Sequence, residues 1–228
     1  MTAFRFSRVE SEETFPFSCG KPDLNTFFEQ ARPALESGLF LVSYKLCLAS
    51  GGNPVVLVCL ANDVIKNNQI YPQPPAKWPF ENNPAIRIAA FGVADGYRGK
   101  GVGQAVILLL QSLFVLKNRT GCRYMTVDAY LDTGTPLQGR TVNFYQKYCG
   151  FVAIPVHPNA NPGKIPKPKR KSNGTAPLYY DLNKMKMSLE ADSGYMEGMK
   201  AAQKDMAGSG IIRTSPGSLP HPCYFYFK

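Results

Sequence analysis

Residues 86–116, IRIAAFGVADGYRGKGVGQAVILLLQSLFVL, leave this chain few folds to choose from. The apolar run 86–93 is short and rich in small and β-branched residues, which suits a buried strand. From Val102 onward apolar residues recur at Ala105, Val106, Leu109, Leu113 and Leu116, the spacing of one helical face. Between the two runs, Gly99, Gly101 and Gly103 stand at alternate positions in Arg98-Gly99-Lys100-Gly101-Val102-Gly103. A strand that enters a helix through such a turn leaves several backbone N–H groups unpaired and pointing one way. The helix dipole adds partial positive charge at the same place. The stretch therefore reads as an anion site, suited to a phosphate or pyrophosphate.

Two familiar phosphate loops do not fit. Lys100 is followed by Gly101 rather than Ser or Thr, so the spacing is not that of a P-loop. The glycines also miss the G-x-G-x-x-G interval, and no βαβ unit with a ribose-binding acid is evident.

Around this centre the chain reads as alternating elements. Residues 4–9 form a first strand, and Asp23 caps a helix carrying Leu24, Phe27, Phe28 and Ala31 that Pro33 ends or kinks. Strands follow at 39–49 and 54–61, joined by the hairpin signal Ser50-Gly51-Gly52-Asn53. Residues 63–84 hold five prolines and the only tryptophan, Trp78, and read as a long excursion. That loop either lines an acceptor pocket or is stapled to the core by Trp78 and Phe80. A strand at 122–130 places Tyr124, Thr126 and Asp128 on one face and Met125, Val127 and Ala129 on the other. After a turn-rich bridge at 131–138, residues 139–149 read as a helix with Thr141, Tyr145 and Tyr148 on one face. Gly150 stops it, a short strand covers 151–156, and LYYDLNKMKM at 178–187 reads as the last strand. The expected division is a domain at 1–187 and an appendage of helix and coil at 188–228.

The turn matches Arg-x-x-Gly-x-Gly from Arg98 through Gly101 to Gly103, and Phe144-Tyr145…Gly150-Phe151 follows downstream. Together with the flanking strand and helix, this resembles the acetyl-coenzyme A signature of the GNAT superfamily of N-acetyltransferases. The resemblance covers about residues 3–187. It implies an α/β fold with a central, mixed, splayed β-sheet flanked by helices, and acetyl-CoA as co-substrate between the fourth and fifth strands. It also implies that backbone N–H groups of Gly99, Lys100, Gly101, Val102, Gly103 and Gln104 hold the pyrophosphate, with Arg98 in the signature's first place. Phe91 and Val93 would offer backbone groups to the pantetheine arm. Tyr145 would protonate the leaving thiolate, unless it is an aromatic packing residue, and Asn143 would hydrogen-bond the cofactor, unless it is a solvated helix residue.

Within the superfamily the chain is most similar to toxins that acetylate aminoacyl-tRNA. The likeness lies in Phe17-Ser18-Cys19-Gly20…Leu24…Phe27-Phe28, in Val127-Asp128-Ala129, and in the Phe-Tyr…Gly-Phe segment. It departs at Ala90, where those toxins usually carry arginine, and in one extra residue between Tyr145 and Gly150. The resemblance implies transfer to a primary amine, tRNA-borne, on a protein lysine or on a small molecule, and allows an antitoxin and a homodimer as partners. A module that binds coenzyme A or nucleic acid without turnover is the rival from another class.

Net charge is +10 at pH 7, which favours an anionic partner: coenzyme A, nucleic acid or an acidic surface. Part of that charge is the block Lys164, Lys167, Lys169, Arg170 and Lys171, either a solvated loop or a phosphate-contacting arm. Six scattered cysteines form no C-x-x-C pair, and two histidines beside prolines make a zinc site improbable. No apolar run reaches the ~18 residues of a membrane span, and the N-terminal residues lack a secretory signal's apolar core. The expectation is a reduced, cytoplasmic protein. Asp128 and Asp63 are the candidate general bases, and no cysteine nucleophile is expected, because Cys149 lacks a partner histidine in sequence.

Overall fold

The computed structural model describes residues 2–10, 12–71, 80–117, 121–133, 138–154, 174–191 and 210–214. Trp78, the Lys-Arg block and both histidines lie outside them. Eight strands form one mixed sheet: β1 (Thr2–Arg8), β2 (Val42–Leu48), β3 (Val56–Lys66), β4 (Asn82–Val93), β5 (Tyr124–Tyr130), β6 (Val152–Ala153), β7 (Thr175–Asp181) and β8 (Gly210–Thr214). Their spatial order is β6-β7-β5-β4-β3-β2-β1-β8. The β4–β5 pair is parallel and every other pair antiparallel. A parallel neighbour demands a crossover. Helix α3 (Val102–Leu116) supplies it, and Ala105, Val106, Ile107, Leu109 and Leu110 are buried as its apolar face requires.

The second face of the sheet carries α1 (Pro22–Thr26) and α2 (Arg32–Ser37), joined by a π-helical turn at Phe27–Ala31. Pro33 explains that turn. A proline inside an α-helix clashes with the carbonyl four residues back and lacks an N–H. Here the ladder widens, and the Arg32 N–H reaches back five residues to the Phe27 carbonyl. Asp23 sits in the first turn without a side-chain cap; Lys21 holds the cap position. Arg32 is 1% exposed, donates to the carbonyls of Phe28 and Glu13, and pairs with buried Glu36, which accepts from the Ser43 N–H.

Three sequence expectations are corrected. The excursion expected at 63–84 is shorter, because β3 and β4 stay paired out to Lys66↔Asn82. Phe80 is 55% exposed and so is no staple. The last strand expected at 178–187 ends at Asp181, where the chain turns into α5 (Leu182–Ala191). Asp181 caps that helix by accepting the Asn183 N–H at 2.9 Å, and Leu182, Met185 and Leu189 form its buried stripe. The boundary expected after residue 187 thus falls inside α5. Beyond it, residues 210–214 form β8, which pairs with β1.

Candidate active site

The site is organised by a change in β4. Residues 85–88 hydrogen-bond in parallel to residues 124–127 of β5, and the pairing stops at Ile88↔Val127. On its other side β4 stays paired to β3 as far as Val93↔Val56. At the point of change the β3 register jumps: Cys59 faces Ala90 and Leu60 faces Ile88, so Ala89 is an extra residue. This is a β-bulge, which bends its strand and sharpens its twist. Ile88 and Ala90 consequently point to opposite faces, Ile88 into the α3-side core and Ala90 against the α1–α2 side, with Ala89 exposed. Residues 89–93 therefore part from β5 and, on that side, carry backbone polar groups with no paired strand. Such groups need partners.

Past Val93 a single 3₁₀ turn, Asp95–Tyr97, leads into the glycines. Gly99 and Gly101 have φ of +71° and +77°, values that L side chains avoid, and no atom lies within 4 Å of where a Cβ would stand on either. Gly101 is the N-cap of α3, with no side chain capping the first turn. The turn is thus open toward solvent and has N–H groups to offer, which fits a pyrophosphate. Gly103 is small for another reason: an added Cβ would stand 3.0 Å from Val93 and 3.6 Å from both Phe91 and Phe144. Arg98 does not point alone into the turn. Its guanidinium lies 3.5 Å from Asp95 and packs over Gly20, while Lys100 rides over the Tyr97 ring.

Opposite the turn, α4 (Arg140–Asn143) runs into a π-helical turn at Phe144–Tyr148. The extra residue between Tyr145 and Gly150 is absorbed here, since one wide turn accommodates one inserted residue. The face expected to hold Thr141, Tyr145 and Tyr148 is accordingly broken: Tyr145 is 3% exposed and Tyr148 56%. The widened turn's carbonyls find partners on α3, with the Gln104 amide donating to Tyr148 and the Gln111 amide to Cys149, at 2.9 and 3.0 Å. The roles of these glutamine side chains were not legible in the sequence. Phe91 stacks on Phe144 at 6.1 Å, and Tyr145 packs edge-on to Phe144 and Phe151. Phe91, Val93, Gly103, Phe144 and Tyr145 are thus gathered where β4 opens; Asn143, partly exposed, follows one turn after Gly139.

Burial drives the Tyr145 phenol far above the ordinary tyrosine range, with proximity to Cys149 a smaller contribution. Cys149 is itself buried, and desolvation pushes its thiol up to about 12, so it is no nucleophile. The two candidate bases lie on the other face of the sheet. Asp128 pairs with Arg87, and Asp63 accepts the Thr126 hydroxyl.

The description "Acetyltransferase (GNAT) family" matches residues 57–151. Nothing among curated protein sequences matches this chain. Solved structures do match its fold. One described as a bacterial toxin has a TM-score of 0.64 at 17% identity, covering 83% of this chain and 97% of the other. AtaT complexed with acetyl-methionyl-tRNAfMet gives 0.62 at 14%, covering 82% and 99%. A tyrosine-to-phenylalanine mutant of KacT gives 0.60 at 16%, covering 81% and 98%. No described helix is long and apolar enough to cross a membrane. The GNAT acetyltransferase model lies across the opened strand, the glycine turn and the Phe-Tyr segment, and these solved structures share the fold that carries them.

Proposed function

We propose that the chain acetylates the free amine of an aminoacyl-tRNA, in the cytoplasm. The observation that carries this reading is the fold shared with AtaT, whose structure holds acetyl-methionyl-tRNAfMet, over 82% of this chain. The net charge of +10 supports a polyanionic acceptor. An antitoxin, like the AtaR seen with AtaT, and a second copy of the chain complete the proposed partners.

Acetyl-CoA supplies the activated acetyl thioester. The N–H groups of residues 99–104 hold its pyrophosphate, and Arg98 adds charge beside them. Backbone groups of Phe91 and Val93, on the open half of β4, take the pantetheine amides as an added strand would. A β4 N–H polarises the thioester carbonyl, and Asn143 hydrogen-bonds the cofactor. The amine attacks directly. As the C–S bond breaks Tyr145 gives its proton to the departing thiolate, and the proton shed by the attacking amine restores the phenol.

Labelled acetyl-CoA offered in parallel to bulk aminoacyl-tRNA, a protein extract and a panel of polyamines and amino acids tests the reading. Label on the aminoacyl end of tRNA is the expected result. Label confined to proteins or small amines would sink the tRNA assignment and leave the acetyltransferase standing.

A further inference from the structure

The opened half of β4 creates a mechanical problem. Two strands that part company are held at the apex but not at their tips. An extended chain lodged between them needs about 9.6 Å, twice the ~4.8 Å strand spacing, and some element must hold the tips at that width. Among the described residues the sheet supplies no such element there. Side-chain contacts do.

The tips of β4 and β5 each carry an aspartate two residues past the strand end: Asp95 after Val93, and Asp132 after Tyr130. Both are gripped by the same short segment, residues 18–21. At its start the Ser18 hydroxyl donates to the Asp95 carboxylate at 2.8 Å, and the Asp95 N–H donates to the Ser18 carbonyl at 3.1 Å. At its end the Lys21 ammonium pairs with Asp132 and lies 5.2 Å from the Tyr130 ring centre. Asp132 is 1% exposed in its side chain, sits at φ +52°, and also accepts the Thr141 hydroxyl of α4 at 2.9 Å. Between the two grips stands Gly20, at φ +63°, where a Cβ would come within 2.8 Å of both Arg98 and Asp95. The Cys19 N–H is tied down by Asn25 at 2.9 Å.

We infer that residues 18–21 are a strap that sets the width of the β4–β5 opening, with Ser18 and Lys21 as positioning residues for the cofactor. The inference rests on the reading that acetyl-CoA occupies this opening. The backbone of residues 18–21 spans at most ~10 Å, and the Asp95, Lys21 and Asp132 side chains complete the tie, so the strap limits how far the tips separate. The strap also meets the glycine turn through Asp95 and Arg98, and α4 through Asp132 and Thr141. One segment therefore positions the glycine turn and the helix that leads into Tyr145.

The test is a double-mutant cycle on the full chain, with coenzyme A as probe and calorimetry as readout. Ser18→Ala and Lys21→Met are each expected to weaken coenzyme A about tenfold, the scale of one charge-assisted hydrogen bond. KM for acetyl-CoA should rise more than kcat falls. A strap slackens when either end is cut, so the double variant should bind no more than marginally worse than either single one. Ser18→Thr and Lys21→Arg should restore binding. Strictly additive losses would mean two unrelated contacts and overturn the strap. So would unchanged affinity in variants whose circular dichroism and Tm match the parent. Failure of the parent chain itself to bind coenzyme A would overturn the cofactor reading, and the strap with it.

Discussion

The two halves of β4 make an instructive contrast. Residues 85–88 are hydrogen-bonded to a strand on each side, while residues 89–93 have a strand on one side only. Both halves face the α3-side core with alternate side chains, Ile86 and Ile88 in one and Phe91 and Val93 in the other, and only the outward-facing Arg87 is charged. What separates them is one inserted residue, Ala89, with no side-chain chemistry of its own. A structural half and a binding half can thus be cut from one strand by a change in register, and residue types alone do not mark which half is which.

The strongest way to break the contrast is to delete Ala89. Removal of a bulged residue restores regular alternation, and here every later side chain keeps its present face, because Ile88 and Ala90 already point to opposite sides. The shortened chain should fold, extend the β4–β5 ladder and lose coenzyme A binding altogether. Amide exchange reads the first effect and calorimetry the second; retained binding would disprove the role of the bulge. Next in size is Tyr145→Phe, which tests the chemistry served by the open half. The turnover number should fall by roughly 10² or more while coenzyme A affinity holds; an unchanged kcat would leave Tyr145 a packing residue. Gly101→Val probes the turn that follows. Its φ of +77° makes a β-branched residue cost about 1–2 kcal/mol, and KM for acetyl-CoA should rise about tenfold.

How much of this could be read beforehand divides along the same line. The strand, glycine turn and helix of 86–116 stood out because glycine spacing and a 3.6-residue stripe are periodic signals. The bulge did not, since Ala89-Ala90 in an apolar run looks like more buried strand. The capping Asp181 was visible in LYYDLNKMKM, and its helical stripe at 182, 185 and 189 could have separated α5 from β7. The segment Phe17-Ser18-Cys19-Gly20 stood out only through family likeness. Its purpose depends on Asp95 and Asp132, far along the chain, and such long-range pairs leave no local trace. Residues 210–214 sit in a Gly-, Ser- and Pro-rich stretch that gave no hint of a strand.

The smallest predicted effect concerns pH, and it separates stability from binding. Burial raises the phenols of Tyr124 and Tyr179, beside the closed half, as well as Tyr180, pushed up to about 12, and Tyr145. In the unfolded chain these groups release protons near pH ~10. Their folded-state values are higher, so the unfolded state binds fewer protons above that pH and stability falls. The contribution is full below pH ~10 and is lost as pH rises beyond it. Tm should decline there, while coenzyme A affinity measured between pH 7 and 9 stays level.

The pairing of β8 with β1 has a consequence for how the molecule is made. Residues 2–6 are made well before residues 210–214, the strand that among the described residues matches their outer hydrogen-bonding edge. Throughout synthesis that edge stays open, a template for any passing strand. That border of the sheet closes only after residues 210–214 have been translated, so until then a nascent chain is exposed to mispairing along β1.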